Sequence, residues 1–149
     1  MEFETQAQKK VYEKIAPWMR ELFGQFATAH ESAPVFGVVF GSTIAHVAVF
    51  PWGDDDATIT TRAWVVTGTE LTPDFMKFLL LQNDKMRFGA FLVDSDGDVF
   101  FEHTIVGSTC DKEELKASVL AVAATADRYD DEIVQRWGGQ RMLDRMKSP

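Results

Sequence analysis

Asp94, Asp96 and Asp98 alternate with Ser95 and Gly97, and alternating carboxylates are how a calcium-binding loop begins. Such a loop needs glycine at its sixth position and a carboxylate at its twelfth. Counted from Asp94, Gly97 falls fourth and the twelfth residue is Ile105, whose side chain cannot ligate a metal. Strand-like sequence lies on both sides, so the run reads as a hairpin turn, where Asp and Gly serve the backbone. Asp54, Asp55 and Asp56 read in the same way, as a solvated turn.

The remaining candidates for chemistry do not converge. His30, His46 and His103 form no HxH or HExxH pair, and their spacing fits no metal site. Glu102 and His103 are adjacent in a predicted strand, which turns them to opposite faces. Cys110 is the only cysteine, so no intramolecular disulfide can form. Asp111, Glu113 and Glu114 beside it should raise its thiol pKa and blunt its reactivity. No GxSxG, Walker A or GxGxxG motif is present, and the run from Phe36 to Gly41 lacks the Lys of a phosphate loop. No catalytic residue, metal ligand or cofactor is expected.

Length and charge narrow the partners. A chain of 149 residues is expected to form a single domain, 1–149. A net charge of −8 argues against nucleic acid and against anionic membrane surfaces, both of which select Lys and Arg. It suits a soluble protein, or a partner with a basic segment. Residues 1–10 hold no apolar signal region and no run is long enough to cross a bilayer, so the cytoplasm is the default compartment.

The elements that would position these residues follow from periodicity. Residues 2–29 read as one helix, with Val11, Ile15, Trp18, Met19, Leu22, Phe23 and Phe26 on a buried stripe. Pro17 predicts a kink or break. Residues 35–40, 44–52 and 58–67 read as three strands with connections short enough for an antiparallel meander. Thr72-Pro73-Asp74 opens a helix to about Asn83, with Thr72 as N-cap and Pro73 in the first turn. Its body is apolar almost all round, so it must be covered on more than one side. Residues 87–94 and 98–106 form a hairpin that pairs Phe101 with either Leu92 or Phe91, according to loop length. A long helix starts at Asp111 and buries Leu115, Val119, Val122, Ala123 and Ala126, and residues 140–146 make a terminal helical turn. The order α-β-β-β-α-β-β-α is an α+β fold: an antiparallel sheet of about five strands with helices packed on it.

Excess apolar surface is the positive signal. Ile44, His46, Ala48, Phe50 and Trp52 share one strand face, while Ala45, Val47 and Val49 fill the other. In the next strand Trp64 and Val66 share a face with Arg62, opposite Ile59, Ala63 and Val65. Apolar residues on both faces call for a second cover. Either a partner supplies it, or the first and last helices cover opposite faces.

The segment Phe88-Gly89-Ala90-Phe91-Leu92-Val93-Asp94-Ser95-Asp96-Gly97-Asp98-Val99, leading to Phe101-Glu102-His103 and Glu113-Glu114-Leu115, resembles the YbjN-like family. So does the ending Ala123-Ala124-Thr125-Ala126-Asp127-Arg128-Tyr129-Asp130-Asp131-Glu132-Ile133. That family shares its fold with the class I type III secretion chaperones. The likeness spans roughly residues 6–137 and implies a compact α+β domain without catalytic residues or cofactor. In the secretion chaperones it goes with a homodimer that holds a partner's extended segment against apolar grooves. Residue pattern, not the resemblance, supplies the expected sites. Phe50, Trp52, Trp64, Phe91 and Phe101 are candidate partner anchors, since aromatics concentrate interface energy. Phe75, Met76, Leu79 and Leu80 are the candidate dimer surface. The rival readings are a structural or regulatory homodimer without a client, and a small-ligand or enzyme pocket built on His46, His103 and Glu102.

Overall fold

The computed structural model describes residues 1–147. The chain begins with helix α1 (Gln6–Phe23), a 3-10 turn (Gly24–Phe26) and a short strand β1 (Ala27–Ala29). Strands β2 (Val35–Phe40), β3 (Thr43–Trp52) and β4 (Asp56–Val66) form the meander. Helix α2 (Pro73–Asn83), the hairpin β5 (Ala90–Val93) and β6 (Val99–Val106), and helices α3 (Lys112–Trp137) and α4 (Met142–Lys147) complete it. The sheet has six antiparallel strands in the order β1-β2-β3-β4-β6-β5, one more than expected. The added strand is β1, where a helix was expected to continue to Ala29. Gly24, at φ +52°, ends α1 instead, with its N–H bonded to the Arg20 carbonyl. No break occurs at Pro17, and α1 runs helical through it.

Local signals set the other boundaries. The Thr72 hydroxyl accepts the Phe75 N–H at 3.2 Å, and the Asp111 carboxylate accepts the Glu114 N–H at 2.7 Å. Each cap contributes about 1 kcal/mol. In the hairpin, Phe91 pairs with Phe101. The loop has three residues, Gly97 sits at φ +84°, and the Asp94 carboxylate accepts the N–H groups of Asp96 and Asp98. Of the aspartates expected to serve this turn, Asp94 does so through its carboxylate.

One apolar core lies between the sheet and a single helical layer. Val11, Ile15 and Met19 of α1, and Leu115, Val119, Val122, Ala123 and Ala126 of α3, join the same cluster as Val47, Ile59, Ala63 and Phe101. Both long helices therefore cover the same face of the sheet. The alternative in which they cover opposite faces does not hold. A register slip between Trp64 and Val66 moves Val66 to the helix side, where it is buried, and leaves Trp64 on the other.

The acidic run after Ala126 does not simply face solvent. Asp127 accepts the Ser42 N–H at 2.7 Å and the Ser42 hydroxyl at 2.6 Å, and the same hydroxyl oxygen contacts Asp130. Gly41, at φ +54°, has no room for a Cβ, which would run into the Asp127 carboxylate. The Ser42 hydroxyl donates toward these two carboxylates, so the β2–β3 turn is tied to α3 at both. Asp130 is fully buried, its Oδ1 finds no partner, and burial pushes its pKa up to about 6. The charges of Asp131 and Asp127 push the same way, and Arg141 is the cation that senses this group.

The sign of the pH effect follows. A folded pKa above the unfolded value gives stability that is complete below about pH 4 and lost as pH rises through 6. Asp130→Asn keeps a polar group beside Ser42 and carries no charge. Urea unfolding should show the variant more stable than the parent by roughly 1–3 kcal/mol at pH 8, with the difference shrinking as pH falls through 6 and gone below about pH 4. A difference that stays constant from pH 3 to 8 would overturn the raised pKa of Asp130.

Candidate partner-binding surface

The sheet face turned away from α1 and α3 carries Val35, Gly37 and Val39 of β2 and Ile44, His46, Ala48, Phe50 and Trp52 of β3. Beside them lie Thr58, Thr60, Arg62 and Trp64 of β4, paired with Val106, Thr104, Glu102 and Phe100 of β6. Phe50 is 51 % exposed and Trp52 57 %. The pattern of alternation placed both on this face, and among the described residues no helix covers them.

A shallow groove crosses the face. Val35, His46, Ala48 and Phe50 form one wall and floor, and the Arg62–Glu102 pair forms the other side. The pair is close, 2.5 Å from Nε to Oε2, and half exposed, so it contributes little to stability. It fixes the guanidinium 5.0 Å from the Phe100 ring centroid. The groove continues over Gly37, whose missing side chain leaves open space, to Thr28, His30 and Glu31 at the sheet edge. His46 bridges the two parts, set edge-on to Trp64 at 5.5 Å, and burial holds its pKa below the usual histidine range.

The two edges of the sheet differ. On β5 the Asn83 side chain bonds both backbone groups of Phe91, its Oδ1 accepting the N–H at 2.7 Å and its Nδ2 donating to the carbonyl at 3.2 Å. A further strand is blocked there. On β1 the His30 N–H bonds Val35, and Thr28 pairs with Gly37. Alternation then turns the N–H and C=O of Ala29 outward, on an edge that no strand covers.

The other expected anchors lie elsewhere. Phe91 and Phe101 are on the helix side, stacked edge-to-face at 5.0 Å, with exposures of 6 % and 0 %. They are core residues, because the Phe91–Phe101 register turns both inward. The expected dimer surface also divides. Phe75 and Leu79 point into the core, while Met76 and Leu80 point out, Leu80 being 69 % exposed. Leu81, Phe88 and Val93 are exposed as well. The periodicity of an all-apolar helix could not say which side faced inward.

The histidines stay apart. His103 is on the helix side, where Nδ1 lies 2.8 Å from the Ser118 hydroxyl, and burial lowers its pKa. His46 is on the open side, with Glu102 held by Arg62. Cys110 is buried, and burial, with smaller contributions from Glu114 and Asp111, raises its thiol pKa. Among the described residues no group of three or more His, Cys, Asp or Glu could hold a metal, and no helix is long and apolar enough to cross a membrane.

Tryptophan quenching checks the geometry. Replacing Trp52 by Phe should remove most of the acrylamide-quenchable emission, and replacing Trp64 by Phe should not. Equal losses would mean that Trp52 is covered in solution.

Two solved complexes contain chains of this shape. The chain superposes on the ExsC-ExsE complex with a TM-score of 0.64 at 14% identity, covering 85% of this chain and 95% of that one. It superposes on the HopA1-SchA chaperone-effector complex with a TM-score of 0.61 at 8% identity, covering 83% and 96%. At such identities the likeness establishes the fold. No curated protein matches the sequence. Residues 10–145 match the family described as T3SS (YopN, CesT) and YbjN peptide-binding chaperone 1, and with nearly its whole length matched the chain belongs to that family.

Proposed function

We propose that this protein is a non-catalytic, cytoplasmic peptide-binding chaperone that holds an extended segment of a partner protein against the open face of its sheet. The observation that carries the reading is the uncovered face itself: Phe50 and Trp52 stand more than half exposed beside a groove floored by His46, Ala48 and Gly37. Burying two such aromatics is worth roughly 2–3 kcal/mol each. A strand added along Ala29 would gain backbone hydrogen bonds at the same time. Family membership, and the partner-bound state of both superposed structures, support the reading.

A second copy of the chain fits the other exposed patch. Met76, Leu80, Leu81 and Phe88 lie on and beside α2, away from the groove and next to an edge that Asn83 closes to strand addition. Side-chain packing between α2 helices is the association this patch favours, and it leaves the groove free. A homodimer without a client would instead have to bury the open face in the dimer. The small-ligand reading draws no support, because His46 and His103 face opposite sides of the sheet.

Two variants separate these readings. Leu80→Glu should halve the mass measured by light scattering and keep affinity for extended peptides with apolar residues at alternate positions. Phe50→Glu should keep the mass and lower that affinity by about tenfold or more. If the parent retains no such peptide better than scrambled polar ones, or if Phe50→Glu halves the mass, the peptide-holding reading is wrong.

A further inference from the structure

One end of the open face is not free. Phe100 belongs to that face, yet it is 3 % exposed, and the Trp64 indole Nε1 is buried without an acceptor. The Trp64 and Phe100 rings lie 4.8 Å apart. Helix α4 packs against β3 and β4, and its Arg145 reaches to 3.9 Å from Asp98, two residues before Phe100 on the same face. The helix therefore closes the end of the groove beyond His46. It contributes two adjacent half-buried apolar residues, Met142 and Leu143, while Met146 is exposed.

Its attachment is polar and includes the buried Thr67 and Thr69, the Thr69 hydroxyl donating to the Gly138 carbonyl at 3.0 Å. Gln140 and Thr67 exchange two backbone bonds of 2.9 Å, and Arg141 bonds Asp131 at 3.0 Å and Asp144 at 2.6 Å. Before it stand Gly138 and Gly139, at φ +81° and +89°, a pair able to redirect the chain. A docked helix that leaves a buried donor unsatisfied is an imperfect cover.

We infer that α4 is a resident ligand, and that the Trp64 end of the face is a second subsite of the groove, with Trp64 Nε1 as its hydrogen-bond donor. This rests on the open face being a peptide-binding surface. The resident helix defines the partner chemistry: a short helical turn with two adjacent apolar residues and a Lys or Arg on either side. The apolar pair replaces Met142 and Leu143, the basic residues meet Asp98 and Asp131, and a partner carbonyl or amide oxygen accepts from Trp64. Binding there requires α4 to swing out about Gly138-Gly139.

The probe is a fluorescent, helix-stapled peptide of the α4 sequence, followed by anisotropy on the full chain. In Arg141→Ala/Arg145→Ala the tether weakens, and the probe should bind about tenfold or more tightly than to the parent, where resident α4 competes at high effective concentration. Adding Trp64→Phe should reduce that gain. Hydrogen exchange of the unaltered chain should open α4 well before α3. Equal probe affinity in parent and variant, or α4 exchanging only as slowly as α3, would overturn the inference. The probe reports on the Trp64 end alone and Phe50→Glu on the other end, so failure of the groove reading and failure of this one are distinguishable.

Discussion

The structure depends on both long helices burying themselves on the same side of the sheet. Six strands span roughly 24 Å between the outermost backbones. Two helices of about 10 Å each cover that width once. Val11, Ile15 and Met19 from α1 and the alanine-rich stripe of α3 meet the same strand residues, so neither helix is left for the opposite face. Helix α2 sends Phe75 and Leu79 into that same core. What remains is α4, and six residues of helix are about 9 Å long. It can shield two strands. The exposure of Phe50 and Trp52 is thus a consequence of how the helices are distributed.

A protein with an uncovered apolar sheet face must still avoid pairing with itself strand to strand. Several features act against that. Asn83 saturates the backbone groups of Phe91 on the outer edge of β5. Strand β1 has only three residues, so few free backbone groups are on offer. The Arg62–Glu102 pair sets charge in the middle of the face, and the net charge of −8 keeps copies apart. On the proposed reading, an extended segment would enter along β1 and over Gly37. A partner with basic flanks would approach an acidic protein favourably at low ionic strength.

Much of the fold was legible because its signals are local. Thr72-Pro73 and Asp111 start helices through their own side chains, and Asp94 with Gly97 closes the hairpin by itself. The shared face of Phe50 and Trp52 follows from strand alternation alone. What was not legible depends on distant contacts. Strand β1 follows an amphipathic helix without any change in composition, and only pairing with β2 makes it a strand. The bulge that sends Val66 inward and leaves Trp64 outside has no mark in Trp64-Val65-Val66. Phe91 and Phe101 looked like Phe50 by type, and only register separates core from surface.

The acidic run from Asp127 to Glu132 divides its members by position along the helix. At 3.6 residues per turn they diverge. Asp127 and Asp130, three apart, turn inward to the Gly41-Ser42 turn, and Asp130 is buried at a cost that pH can tune. Asp131 meets Arg141 on the approach to α4, and Glu132 meets Arg136 one turn further along the helix. Arg136 in turn covers the rings of Phe78 and Trp137 beside α2. One stretch of α3 therefore fastens the β2–β3 turn, the entry to α4 and the flank of α2. Both exposed apolar surfaces are held in place from this stretch, although none of its carboxylates lines the groove around His46 and Phe50.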